Sequence, residues 1–341
     1  MKGRTTVYHK LTTPDKIGQI NPENQELTND FLDYLASIDR SPQTIKQYES
    51  DLNIFFVYVL DNLNNKPIIE ITKRELARFQ NYCINELMWS SKRLRRVKSV
   101  ISSLSNYIEN MLDEEEEFKD FRSIIKKIES PANEPVREKT VLTNEQISLL
   151  LDTLVERKEY EKAVAVAILS YSGMRRAELM QMKMEYFNPD HLVFGCLYQT
   201  DKVRAKGRGV RGKMIHKYVM NKVDKYMELW RKQREEMGVD SEWVFVTCQD
   251  GVWSRKTTLD HWKKEFSAIV NAPFYFHCLR HMLCTDLSSQ NIPAEVIREF
   301  FGWESAEMIK IYNDSSAIDD FGKYFSADGV VKQDVKNISD I

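Results

Sequence analysis

The run Pro131-Ala132-Asn133-Glu134-Pro135-Val136-Arg137-Glu138-Lys139-Thr140 interrupts the apolar rhythm of a 341-residue chain. Two prolines and no periodic apolar residue leave it nothing to bury, so it reads as a linker, residues 131–140. A break of that kind forces two cores rather than one. The length allows it, with roughly 100 residues for one core and roughly 200 for the other.

Residues 1–24 contain two prolines and little periodic hydrophobicity and read as a flexible N-terminal arm. From Glu26 the text becomes helical. Leu27, Phe31, Leu32 and Leu35 recur at helical spacing, and Ser41-Pro42 offers an N-cap and a first-turn proline for a helix running through Leu52, Phe55 and Phe56. After the strand-like Pro67-Ile68-Ile69-Glu70-Ile71, two more helices are predicted, near Lys73 to Leu87 and Ser91 to Met111. Residues 25–130 therefore read as an all-α domain. The acidic run Asp113 to Glu117 belongs on a solvated loop or helix end, facing away from any polyanion.

Beyond the linker, residues 141–325 read as a mixed domain and 326–341 as a tail. Helices are predicted from Leu142, over Tyr160 to Tyr171, through Tyr226 and Trp230, and at Thr258 to Ala268, Arg280 to Gln290, Ala294 to Phe301 and Ala306 to Tyr312. Short β-like runs, His191 to Phe194, Cys196 to Thr200 and Met214 to Met220, predict a small sheet. The fold class expected is mainly α with a small β-sheet.

Bulk charge, −2, does not announce a nucleic-acid partner; local charge does. From Lys202 to Lys217 stand seven cations (Lys202, Arg204, Lys206, Arg208, Arg211, Lys213, Lys217), three glycines and no acid. Such a run repels itself unless it meets a polyanion, and it predicts a β-hairpin reaching DNA. Lys92, Arg93, Arg95, Arg96 and Lys98 crowd the start of another helix, where a solvated face is an equal reading. Cys83, Cys196, Cys248, Cys278 and Cys284 are scattered and odd in number, without zinc-site spacing, and are expected to be reduced. With no apolar span or signal core, a cytoplasmic protein is expected.

The chemistry-bearing residues fall in order: Ser172-Gly173-Met174-Arg175-Arg176-Ala177-Glu178-Leu179, then Phe276-His277-Cys278-Leu279-Arg280-His281, then Phe301-Gly302-Trp303, then Tyr312. Guanidinium forks suit the non-bridging oxygens of a phosphate and stay charged at any working pH, and a phenol can attack phosphorus to form a covalent phosphotyrosine. Each piece has a bland reading: Arg175 as a helix-terminal cation, His277 and His281 as core histidines, Tyr312 as a half-buried packing residue. Taken together the chain resembles the tyrosine recombinases, the family of phage integrases and Xer- and Cre-like enzymes. "GMRRAEL" follows the family's Gly-hydrophobe-Arg-x-x-Glu-Leu, "HCLRH" its His-x-x-Arg-His, and "FGW" stands where most members have Leu-Gly-His.

The resemblance implies a helical core-binding, SAM-like domain ahead of a tyrosine-recombinase catalytic domain, with catalytic Arg175, His277, Arg280, Trp303 and Tyr312, and Glu178 and His281 in support. It implies a lysine general acid on the hairpin, for which Lys202 and Lys206 compete. DNA contacts are expected from Lys46, Lys92, Arg93 and Arg96 in the first domain and from Arg204, Arg208, Arg211 and Lys213 on the hairpin. Cleavage through a 3′-phosphotyrosyl link and a Holliday junction would need no metal and no other cofactor. It would act on double-stranded DNA with specific sites, in a homo-tetramer, with an accessory protein as a further partner. The rivals are a type IB topoisomerase-like monomer and a non-cleaving DNA-binding protein on the same scaffold.

Overall fold

In the computed structural model of the protein, the described residues are 10–123, 125–132, 140–205, 213–290 and 292–309, with strand residues 325–326 and 329–330. Among the described residues the chain divides into two compact units, one of residues up to 132 and the other from Thr140 onward.

The first unit is helical: α1 (Pro14–Gly18), α2 (Pro22–Ser37), α3 (Pro42–Asn62), α4 (Lys73–Asn85) and α5 (Ser91–Met111). The predicted arm is corrected here. Thr13 caps α1, Asn21 caps α2, and Ile20 is buried, so ordered structure begins well ahead of residue 25. The strand-like stretch at 67–71 is also corrected. It forms a single 3-10 turn, Ile68–Glu70, because Asn24 Oδ1 accepts the Ile68 amide and a Thr72–Glu75 capping box starts α4 at once. Leu52, Phe55, Phe56, Phe79, Leu94, Ile101 and Leu104 form its core. Ser90 caps α5, whose apolar face is buried by Leu94, Val97, Ile101 and Leu104.

The second unit is built around α7 (Tyr160–Ser172), whose residues Ala163 to Leu169 are all buried and which packs against α6 (Asn144–Glu156), α9 (Asp224–Glu236) and α11 (Phe276–Ser289). The one-turn α8 (Arg176–Leu179) follows directly. β1 (Leu192–Val193), β2 (Leu197–Gln199) and β5 (Tyr218–Met220) make an antiparallel sheet, and β3 (Val203–Arg204) pairs with β4 (Met214–Ile215) inside the β2–β5 hairpin. A hairpin of β6 (Val246–Gln249) and β7 (Val252–Arg255) was not predicted, although its Asp250-Gly251 turn is a strong sequence signal. The predicted helix at 258–268 begins later, as a 3-10 turn leading into α10 (Lys263–Val270), and α11 begins four residues earlier than predicted. The unit continues with α12 (Ala294–Phe301), and β8 (Phe325–Ser326) pairs with β9 (Gly329–Val330).

α11 and α12 carry a separate apolar cluster of Leu283, Cys284, Leu287, Ile297, Phe301 and Trp303, distinct from the main core. The whole is mainly α with small antiparallel sheets.

Candidate active site

The site starts from a glycine. Gly173 follows α7 with φ +57°, a left-handed conformation that penalises residues with a Cβ and that glycine adopts without that cost. A Cβ there would lie 2.3 Å from Phe301 Cε1, so the absence of a side chain also admits the Phe301 ring. The sharp turn places Arg175 immediately before α8, as that helix's N-cap. Its amide donates to Glu178 Oε2 at 2.8 Å and its Nη1 to Glu178 Oε1 at 3.0 Å, which fixes the guanidinium while leaving the side chain 25% exposed.

Arg280, one turn after His277 on α11, donates Nη1 to the Gly173 carbonyl. Its guanidinium carbon lies 4.8 Å from the Phe301 ring centroid and 5.0 Å from that of Trp303, and these two rings stack at 4.5 Å. A cation over stacked faces gains from both ring quadrupoles. Arg280 is 1% exposed. Glu178, Arg280 and Trp303 are thus brought around the Gly173 turn with Arg175. His277 is half-buried and its ring meets that of the buried His281 edge-on at 5.6 Å.

The sequence reading missed the residue that joins these parts. Lys217, counted there among cations reaching outward, is buried to 1%. The correction follows from strand alternation: Lys217 and Val219 share the inward side of β5 and the residue before it, while Tyr218 between them is half-buried. Lys217 Nζ lies 3.0 Å from Glu178 Oε2 and donates to the Phe301 carbonyl at 3.0 Å. Its backbone is pinned to Thr200 at 2.9 and 3.0 Å. Burial, set against the attraction of Glu178 and reinforced by Arg280, pulls its pKa down to about 8. Burial opposes the charge of Glu178 too, but Lys217 and the Arg175 amide outweigh it and hold the carboxyl below its ordinary value. The signal was present in the parity of His216-Lys217-Tyr218-Val219, hidden within a run read for charge alone.

The hairpin cations are placed in part. Lys202, Arg204 and Lys213 are exposed, and the Gln181 side chain clasps both the amide and carbonyl of Arg204, tying β3 to the end of α8. Lys206, Arg208, Arg211 and Tyr312 lie outside the described residues. Arg176 is exposed and paired with Asp260.

In the first unit, Lys46 and Lys92 are exposed. Arg93 and Arg96 meet the buried carboxylate of Asp51 at 2.6 and 3.0 Å, and Arg93 also lies over the Trp89 ring. The rest of that cation cluster faces the chain itself. Arg95 donates to the Pro131 carbonyl, and the buried Lys98 donates to Gln80 and the Ile128 carbonyl. Cys83, Cys278 and Cys284 are buried thiols, whereas Cys196 and Cys248 are exposed. Among the described residues no helix is long and apolar enough to cross a membrane.

Residues 140–318 match the model of the phage integrase family. The SPbeta prophage-derived recombinase-like protein YomM of Bacillus subtilis (strain 168) is 32% identical over 234 residues, covering 68% of each chain. The fold is similar to the XerH site-specific recombinase bound to palindromic difH substrate, with TM-score 0.61 and 18% identity over 82% of this chain and 78% of the other. It is similar also to the lambda integrase tetramer bound to a Holliday junction, with TM-score 0.58 and 16% identity over 90% of this chain and 82% of the other.

Proposed function

Because this chain belongs to the phage integrase family, we propose that it recombines double-stranded DNA at specific sites through a covalent 3′-phosphotyrosyl link at Tyr312. The observation that carries the reading is the grouping of Arg175, Glu178, Arg280 and Trp303 around one turn, contributed by segments far apart in sequence. Arg175 and Arg280 balance charge on the non-bridging oxygens of the scissile phosphate, and the Trp303 indole N–H donates to one of them. Glu178 orients Arg175, and His281 packs beneath His277.

His277 accepts the phenol proton as Tyr312 attacks phosphorus in line, since a phenol with an ordinary pKa near 10 needs an acceptor at neutral pH. The O–P bond to the 5′-oxygen breaks, and Lys202 donates the proton that makes the 5′-hydroxyl, with Lys206 its competitor. A partner strand's 5′-hydroxyl then attacks the phosphotyrosine and frees Tyr312. Two successive exchanges pass through a Holliday junction in a homo-tetramer, an assembly that the lambda integrase structure exemplifies. The guanidinium groups supply the charge that a metal would otherwise provide, so neither metal nor other cofactor is needed.

Lys46, Lys92, Arg93 and Arg96 hold the DNA backbone from the first unit and the hairpin cations Arg204, Arg208, Arg211 and Lys213 from the second, joined by a linker at 131–140. Since Arg280 is 1% exposed, the reading entails that its contact with phosphate follows an opening of the site.

The test is a nicked duplex carrying the junction sequence found at the ends of the mobile DNA that encodes the chain. Wild-type protein should become trapped on the 3′ end, and Tyr312→Phe should bind the duplex with unchanged affinity yet form no adduct. Adduct at the wild-type level in Tyr312→Phe would remove Tyr312 from the mechanism.

A further inference from the structure

Arg175 has a problem that Lys217 solves. A carboxylate 3.0 Å from a guanidinium orients it but also cancels much of the positive field that a phosphate would feel, because opposite charges at that distance act on a third nearly as a neutral pair. Glu178 is 1% exposed, so water does little to screen it. Lys217 Nζ sits on the other oxygen of the same carboxylate, also at 3.0 Å, and is likewise 1% exposed. The trio carries one net positive charge, and only Arg175 presents it to solvent.

Lys217 has a second anchor. Its Nζ donates to the Phe301 carbonyl, the last of α12, where a helix leaves carbonyls without intrahelical partners and favours a cation. Gly302 follows with φ +67°, and a Cβ on it would stand 3.5 Å from Lys217 Nζ and 2.6 Å from Ile215 Cδ1. Trp303 comes next. One ammonium therefore joins the support of Arg175 to the turn that carries Trp303. Its own backbone is locked to Thr200 at the base of the hairpin bearing Lys202.

We propose that Lys217 is a positioning residue of the recombination site, which neutralises Glu178 so that the charge of Arg175 remains available to the scissile phosphate. The proposal rests on the phosphotyrosine reading above. Buried to 1%, Lys217 acts through Glu178.

A charge cycle separates this role from plain structural support. The rate of adduct formation on the nicked junction duplex is measured for wild type, Lys217→Met, Glu178→Gln and the double variant. Lys217→Met leaves Glu178 to be balanced by Arg175 alone and should slow adduct formation about 100-fold, the scale of losing one preorganised charge interaction. Once Glu178 is neutral there is nothing for Lys217 to offset, so adding Lys217→Met to Glu178→Gln should change the rate by less than about 3-fold, a strongly non-additive result. Should Lys217→Met fail to fold because it strands a buried carboxylate, the double variant buries no lone charge, and its rate against Glu178→Gln carries the comparison.

A folded Lys217→Met variant forming adduct at the wild-type rate would overturn the inference while leaving Tyr312 as nucleophile. So would a double variant far slower than Glu178→Gln. Failure of the wild-type protein to form any adduct would instead bring down the phosphotyrosine reading, and this inference with it.

Discussion

Two lysines separated by 15 positions use one kind of charge in opposite ways. Lys202 is exposed one residue before β3, where a flexible ammonium can follow a leaving oxygen; Lys217 is sealed beneath the same hairpin. If Lys202 is the general acid, Lys202→Ala should slow cleavage of ordinary DNA by about 100-fold or more, and substituting sulfur for the 5′-bridging oxygen should restore most of the rate, because a thiolate leaves without a proton. Parallel rates for Lys206→Ala on both substrates decide between the two, selective rescue of Lys206→Ala transferring the role to it. At this scale motif order alone singled residues out in the sequence. Arg175, His277, Arg280 and Trp303 stood out because their neighbours are distinctive. Lys217 did not, since burial depends on which side of a strand faces the core, and a string of like charges obscured that parity.

At the scale of elements, the α7–α8 junction depends on a residue with no side chain. Gly173→Ala must place a methyl group where the Phe301 ring lies and hold an alanine at φ +57°. A loss of about 1–3 kcal/mol is expected from the backbone alone, read by denaturant unfolding. Adduct formation should fall further than stability does, because displacing Phe301 also shifts the surface on which Arg280 rests. A variant as active and as stable as the parent would mean that Phe301 moves aside freely. The longer helices were legible because apolar spacing and capping residues agree, as at Ser41, Ser90 and Thr143. The extended reading of residues 67–71 failed because tertiary contacts from Asn24 and a following capping box overrode an isoleucine-rich composition. α1 was missed because five residues are too few to display a period.

At the scale of the whole molecule, a chain of net charge −2 must bind its polyanion through local patches. Lys46→Ala and Lys92→Ala should each weaken binding of the junction duplex and reduce the slope of log Kd against log salt by about 1. Slopes unchanged in both variants would take these two side chains off the DNA. The expectation of two cores came from the proline-bearing break, because composition alone tells whether a segment has anything to bury. Within the second unit, however, the apolar interior is not one piece. Among the described residues, the α11–α12 cluster, six residues from Leu283 to Trp303, is far smaller than the main core. Unfolding free energy is therefore unevenly distributed. Backbone amides of α12 should exchange with deuterium well before those of α7, through excursions that leave the rest of the unit native. Arg280 rests against the rings of Phe301 and Trp303 in that smaller cluster, so each excursion bares its guanidinium for a moment. If Arg280 contacts the phosphate as proposed, the tempo of these local breaths would set an upper bound on how often it can do so.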